Sequence, residues 1–528
     1  MTSDRTVTRG TPLALLTLMC AAALPLLGPT PTAAAATCDG NHSTLAVGSP
    51  GATEGDDQDA GAVTVGSGSS DGLRGRLLVT PTTSGVPTEP EVEGKFGTQV
   101  AVGDFNGDSC PDVAIVGAEQ PGHEDQVVVL FGAPDSTLTS VGAETFGEES
   151  VCGACGDPDS SPELGAHLAV GDFNGDGYDD LALSVVSENA DNGGTSVVVV
   201  PGSATGLVPS TSDPVFNNLG GLAGDITSMS AGDINGDGID DLAIGWSGQW
   251  VDPDDEVMPK PGAAAVGRPA QPAAKADYYH ESNIAVVYGA ADGVGAGAAR
   301  QDFNRATAGV PGQESYASNL HRGIAVTTAL GDTNHDGYAD LAFWEDRTSA
   351  VTVLRGSATG ITTKHAQNWT KATPGVPGKQ KSKDVDDQWG SALAFGAFSG
   401  GDDADLAVGD PTTQNATILP GSSRHGLTAK GSEQLSPSTP NVPGKAGAHE
   451  DWSSVLAVGD FGHGSADDLV VADPNAKQHR GSLTVLYGSH HQPAGLTAKH
   501  AQHITRSSDG WPGVAETLDY FGSSLAAG

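Results

Sequence analysis

The residues best placed to do chemistry form one stretch, Gly171-Asp172-Phe173-Asn174-Gly175-Asp176-Gly177-Tyr178-Asp179-Asp180-Leu181-Ala182. Oxygen-bearing side chains recur at every second position, Asp172, Asn174 and Asp176. A tight turn at Gly177 lets the chain fold back so that Asp180 closes the ring. Hard cations such as Ca²⁺ take roughly six to eight oxygen ligands, and alternating Asp and Asn around a glycine turn supplies them. A single copy could also be a solvated acidic turn between two strands.

The stretch is repeated. Asp104, Asn106, Asp108 and Asp112 form one copy, Asp233, Asn235, Asp237 and Asp241 another, and Asp332, Asn334, Asp336 and Asp340 a fourth. At the seventh position stand Cys110, Tyr178, Ile239 and Tyr338, whose backbone carbonyls would complete each ligand set. An EF-hand carries a bidentate Glu at position 12. Here that position holds Ile115, Leu183, Ile244 and Phe343, so these loops are not EF-hands. Each ninth-position Asp leads instead into a short apolar, strand-like run. About four Ca²⁺ sites are expected, one per complete loop.

The elements that must hold these loops are read from the spacing. First ligands Asp104, Asp172, Asp233 and Asp332 are 68, 61 and 99 residues apart. Two degenerate copies follow at Ala397 and Asp460. Ala397, Ser399 and Gly401 replace three ligands in one; Gly462 and Gly464 replace two in the other, which keeps Asp460 and Asp468. A period of this size built of short strands marks a repeat architecture. Each unit runs from an aromatic- or Leu-Gly start (Phe96-Gly97, Leu164-Gly165, Trp389-Gly390, Phe521-Gly522), through the acidic loop and a Leu-Ala-Val/Ile strand, to a β-branched run ending in Gly. A Val-Pro-Gly or Trp-Pro-Gly loop closes it, as at Val376-Pro377-Gly378 and Trp511-Pro512-Gly513. Four short strands per unit with Gly and Pro turns make a propeller blade.

The chain resembles the FG-GAP repeat proteins, whose blades form the propeller of integrin α-subunits and of many secreted bacterial proteins. The resemblance rests on the Phe-Gly start, the acidic loop and the following strand in that order, with Gly48-Ser49-Pro50 and Gly409-Asp410-Pro411 as variants of Gly-Ala-Pro. It implies an all-β, seven-bladed propeller over 37–528. The half-blade around Leu45-Ala46-Val47 joins the half-blade around Leu525-Ala526-Ala527 to close the ring. It also implies that the four complete loops hold calcium. Loops joining strands 1–2 and 3–4 share one face; those joining 2–3 and 4–1 share the other. An insertion at 246–281 accounts for the 99-residue interval and carries Trp246, Trp250, Tyr278, Tyr279 and His280.

Residues 1–36 read as a secretory signal: Arg5 and Arg9, an apolar run, then Ala33 to Ala36. Four cysteines follow it, and an even number in a secreted chain suggests disulfides with three possible connectivities. We read Cys152 and Cys155 as a local clip, leaving Cys38 to pair with Cys110. Sixty-six acidic against 25 basic residues give a net charge of −41, which argues against nucleic acid as a partner. Beyond the signal no run approaches the roughly 20 apolar residues of a membrane span, so no membrane insertion is expected. Gly68-Ser69-Ser70-Asp71-Gly72 matches G-x-S-x-G but falls in a 3–4 turn with no strand-to-helix elbow. The histidines show no zinc spacing. The expectation is a secreted, monomeric, calcium-binding module for an extracellular protein or glycan, not an enzyme. The alternatives are a hydrolase or lyase on the same scaffold, or a purely structural surface protein.

Overall fold

The computed structural model describes residues 38–528 apart from 39–41, 56, 89–92, 118–124, 134–137, 152–162, 188–193, 212–213, 218–224, 251–278, 295–299, 313–316, 319–324, 347, 380–386, 446, 448–449, 463 and 491–494. The signal at 1–36, Cys152, Cys155 and the middle of the insertion lie outside the described residues. Thr37–Gly528 form one compact unit.

Seven sheets of four antiparallel strands follow one another around a ring. Blade 1 comprises Gln99–Gly103, Asp112–Gly117, Gln126–Gly132 and Leu138–Gly147, and blade 2 Glu163–Gly171, Asp180–Ser187, Gly194–Val200 and Phe216–Asn217. Blade 3 comprises Ile226–Gly232, Asp241–Trp250, Tyr279–Val287 and Arg300–Phe303, with Ala317–Ser318 added to its third strand. Blade 4 comprises Val326–Gly331, Asp340–Glu345, Val351–Arg355 and Thr362–Trp369, and blade 5 Leu393–Gly396, Asp405–Asp410, Asn415–Leu419 and Glu433–Leu435. Blade 6 comprises Val455–Gly459, Asp468–Asp473, Ser482–Gly488 and Leu496–Ile504. Blade 7 joins Leu525–Ala527 to Thr44–Ser49, Ala62–Ser67 and Arg74–Val79. The first strands of neighbouring blades lie against each other all the way round, so the ring closes. The closing seam pairs Leu45 with Ala527, Ala46 with Ala526 and Val47 with Leu525.

The Leu-Ala-Val/Ile pattern follows from the way blades stack. Successive strand residues point to opposite faces of a sheet. In blade 1, Val113 and Ile115 pack against blade 7, while Ala114 packs against blade 2. In blade 2, Leu181 and Leu183 pack back on blade 1, while Ala182 faces blade 3. The second strands of blades 1 and 2 thus turn their large side chains to the preceding blade and the intervening alanine to the next. One apolar layer results at each junction. Burying a Val or Leu there contributes about 1.5–3 kcal/mol.

Three junctions also contain a buried cation, supplied by the turn after the fourth strand. Lys371 Nζ stands 2.7 Å from Asp387 Oδ1 and 3.0 Å from Asp410 Oδ2. Arg305 pairs with Glu345, and Arg506 Nη1 lies 3.1 Å from Asp519 Oδ2. The same turn recurs in blade 5, where the Ser436 N–H donates to Thr439 Oγ1 at 3.0 Å as the Thr370 N–H does to Thr373 Oγ1. There the cation's place is taken by Pro437, while Asp473, the counterpart of Asp410, stays buried.

One expectation is refined and one is borne out. The flanks of the insertion are strand rather than loop: the second and third strands of blade 3 run on in register to Trp250 opposite Tyr279. Residues 251–278, between these strands, lie outside the described residues. Cys38 and Cys110 form a disulfide, Cα–Cα 5.0 Å, which ties the segment before Thr44–Ser49 to the first acidic loop.

Candidate metal centres

The four complete loops join first to second strands of blades 1 to 4, on one face. Each wraps around its first residue. Asp172 Oδ1 accepts the N–H of Asp176 at 3.1 Å and Oδ2 that of Gly177 at 2.9 Å. Asn174 Oδ1 accepts the Asp176 N–H at 2.8 Å, and Asp176 Oδ1 the Tyr178 N–H at 3.0 Å. The pattern repeats with Asp104, Asn106, Asp108 and Cys110, with Asp233, Asn235, Asp237 and Ile239, and with Asp332, Asn334, Asp336 and Tyr338. Such bonds hold side-chain oxygens of positions 1, 3 and 5 to the inside of the turn. The turn needs a left-handed residue at position 6: Gly177, Gly238 and Gly337 provide it, whereas loop 1 uses Ser109 at φ +64.

The ninth residues are buried and do a second job. Asp112 Oδ2 accepts the Phe105 N–H at 3.0 Å and Oδ1 the Gly132 N–H at 2.7 Å, joining the loop to the end of the third strand. Asp180 does the same with Phe173 and Gly202, Asp241 with Ile234 and Gly289, and Asp340 with Thr333 and Gly356. Burial pushes Asp112, Asp180 and Asp241 up to about 7, and the carboxylates at positions 5 and 1 of the same loop add to it.

The brace also exists without the ligands. In blade 5, Asp405 accepts the Ser399 and Gly421 N–H groups at 3.1 and 2.8 Å; in blade 6, Asp468 accepts those of Phe461 and Gly488 at 2.8 and 2.7 Å. The sequence reading left Asp405 unnoticed, although counting nine from Ala397 finds it. A second set it missed links neighbouring loops. Asp179 Oδ2 accepts the Asp104 N–H at 2.7 Å and Asp240 Oδ2 the Asp172 N–H at 3.2 Å. Backbone bonds return in the opposite direction, from the N–H of Asp179, Asp240, Ala339, Ala404 and Asp467 to the first-position carbonyl of the preceding loop. The Tyr178 ring covers Gly107 so closely that a Cβ there would come within 2.6 Å of it.

The donor set is hard: carboxylates, an amide oxygen and a backbone carbonyl in each loop, which fits Ca²⁺. Among the described residues, no three His, Cys, Asp or Glu side chains stand close enough together, as placed, to grip an ion without moving. The fifth-position carboxylates of Asp108, Asp176, Asp237 and Asp336 are the exposed members of each set.

Comparison with known proteins adds the following. A family model described as "FG-GAP repeat" matches residues 96–130, 164–200 and 226–248, which contain the first three loops. "Integrin alpha pat-2" of Caenorhabditis briggsae is 27% identical over 268 residues, covering 48% of this chain and 18% of that protein. "Phosphatidylinositol-glycan-specific phospholipase D" of Homo sapiens is 34% identical over 124 residues, 23% of this chain and 13% of that protein. The chain thus spans less than a fifth of either relative. Among solved structures, a Pseudomonas aeruginosa periplasmic gluconolactonase aligns at 13% identity and TM-score 0.31, over 75% of this chain and 95% of that one. The microbial sialidase Hz136 aligns at 11% and 0.34, over 76% and 64%. The expectation that the chain is not an enzyme does not stand, since a phospholipase D by name is among the similar sequences. Motif searching for a nucleophile or an acid–base pair was too narrow a ground for that exclusion, because catalytic groups can be assembled from separate loops of one scaffold. No helix of the described residues is long and apolar enough to cross a membrane.

Proposed function

We propose that this chain, an FG-GAP repeat β-propeller, is an extracellular calcium-binding module that presents the face opposite its acidic loops to a protein or glycan ligand. The observation that carries the calcium reading is the loop geometry. In Asp104, Asp172, Asp233 and Asp332 both carboxylate oxygens are held by backbone N–H groups of their own loop. Asn106, Asn174, Asn235 and Asn334 are held in the same way, each Oδ1 accepting the N–H of the fifth residue. A bound Ca²⁺ supplies the positive charge that relieves the repulsion among the loop carboxylates and pins the first strand of a blade to its second.

The opposite face holds the 2–3 and 4–1 connections, and scaffolded loops are where recognition concentrates. Val514 and Leu518, 65% and 45% exposed, both lie in the 4–1 connection between blades 6 and 7. The likeness to an integrin α-subunit sequence and the Cys38–Cys110 disulfide support an extracellular setting. The test has two parts. Calorimetric titration of the chelated 37–528 protein should show calcium uptake. Protein and glycan arrays probed with and without calcium should show a ligand whose capture falls when Val514 and Leu518 are changed to Ser. Absence of calcium uptake refutes the first part, and undiminished capture by the double variant refutes the placing of the binding face.

A further inference from the structure

The four complete loops are not equal. Building on the calcium reading above, we infer that the fourth loop carries its own cation, the Arg355 guanidinium, and binds calcium much more weakly than the other three. Arg355 ends the third strand of blade 4 and is 7% exposed. Its Nη1 lies 2.5 Å from Asp340 Oδ2 and 2.5 Å from Thr333 Oγ1, and its Nη2 donates to the His425 carbonyl at 2.6 Å. Asp340 is the ninth residue of the fourth loop and is fully buried. The residue before the strand-ending glycine is Phe131, Pro201, Tyr288, Pro420 or Tyr487 in blades 1, 2, 3, 5 and 6. Arg355 alone is charged.

The surroundings are adapted to it. Position 2 of the loop is Phe105, Phe173 or Ile234 in the first three copies, each buried and apolar. In the fourth it is Thr333, whose hydroxyl donates to Asp340 and accepts from Arg355. Position 4 is Gly107, Gly175 or Gly236 in the first three and His335, at φ +53, in the fourth. In the fourth loop Asn334 Nδ2 donates to the fifth-position Asp336 Oδ2 at 2.8 Å, whereas in the second Asn174 Nδ2 reaches the ninth-position Asp180 Oδ1 at 3.4 Å.

A dication entering the fourth loop would meet a buried positive charge one carboxylate away, with an oxygen of Asp340 already engaged. Like charges a few ångströms apart in a partly buried site repel strongly. The affinity of this loop should therefore be lower by roughly ten-fold or more. Blade 4 would also keep its loop folded in calcium-free solution, because the arginine does there what the metal does in blades 1 to 3.

Calorimetric titration of the chelated 37–528 protein with CaCl₂ tests this. Three equivalents of one class and a weaker fourth are expected. The exposed Asp176→Asn should remove one tight equivalent, and the exposed Asp336→Asn should remove the weak phase only. Arg355→Tyr, the residue of blades 3 and 6, combined with Thr333→Ile, should bring the fourth site into the tight class. Four equal sites in the native chain, or loss of a tight equivalent in Asp336→Asn, overturns the inference while leaving the calcium reading in place. No uptake by any loop overturns both.

Discussion

Pro437→Arg should stabilise the propeller at alkaline pH and not at acid pH. The turn at 436–439 matches those that place Lys371 and Arg506, so an arginine side chain there would reach the blade 5/6 junction. Asp473 waits in that junction, 3% exposed, with Glu450 and Asp451 beside it. Burial first, and those two acids second, push its carboxyl from 3.8 up to about 7, against a backbone bond from Asp451 that lowers it. Between those two values the native state holds a proton that the unfolded chain has lost. Stability therefore falls as pH rises through that window. The displacement corresponds to a ceiling of roughly 4 kcal/mol between charged and neutral forms. Pairing with a guanidinium recovers part of it, and the loss of proline in the unfolded chain takes back about 0.4–1 kcal/mol. A net gain of about 1–2 kcal/mol is expected at pH 8 and none at pH 5. Urea unfolding of both proteins at the two pH values, with calcium constant, measures it. An equal change at both pH values would show that Asp473 does not feel the new charge.

Three further outcomes follow from the same geometry. Lys371→Met leaves Asp387 and Asp410 facing each other in a dry junction and should cost about 3–5 kcal/mol at neutral pH, read by urea unfolding; a cost below about 1 kcal/mol would mean that water enters. Ser109→Gly relieves a side chain at φ +64 and should add about 0.5–1 kcal/mol, seen as a raised melting temperature. Chelation should lower the melting temperature, since each site of dissociation constant about 10⁻⁴ M contributes about 1.8 kcal/mol in about 2 mM calcium; a scan indifferent to EDTA would contradict the loop reading.

The blades were legible in the sequence because period and alternation are both written there. The spacing of Asp104, Asp172 and Asp233, and the Leu-Ala-Val/Ile strands, leave little choice of architecture. Even the closing blade could be read, since Leu45-Ala46-Val47 and Leu525-Ala526-Ala527 are halves of one pattern. The six ninth-position aspartates were half legible. Their spacing marked them as ligands, but bonding to Gly132, Gly202 and their counterparts depends on a strand some 16 to 48 residues away. Arg355 gave no signal, because Asp340 meets it only across the hairpin of blade 4. Trp250 and Tyr279 read as loop residues since a tract rich in Pro and Ala separates them; hydrogen-bonded register extends to them regardless.

The seam in blade 7 bears on how the molecule comes apart and together. Leu525–Ala527 meets Thr44–Ser49 through three residue pairs, across nearly the whole chain. Six blades can form from neighbours in sequence, but this one waits until the final strand is available. Closing so long a loop carries an entropic cost that grows with the logarithm of its length, and only three pairs and the layers on either side offset it. Closure of this blade thus depends on contacts of the highest sequence separation in the ring. Until it happens, the edge of Thr44–Ser49 is open to the equivalent strand of another molecule. At high concentration the same seam that completes one ring could join two, and exchange of Leu525–Ala527 between chains would be the first misassembled species to look for in refolding mixtures.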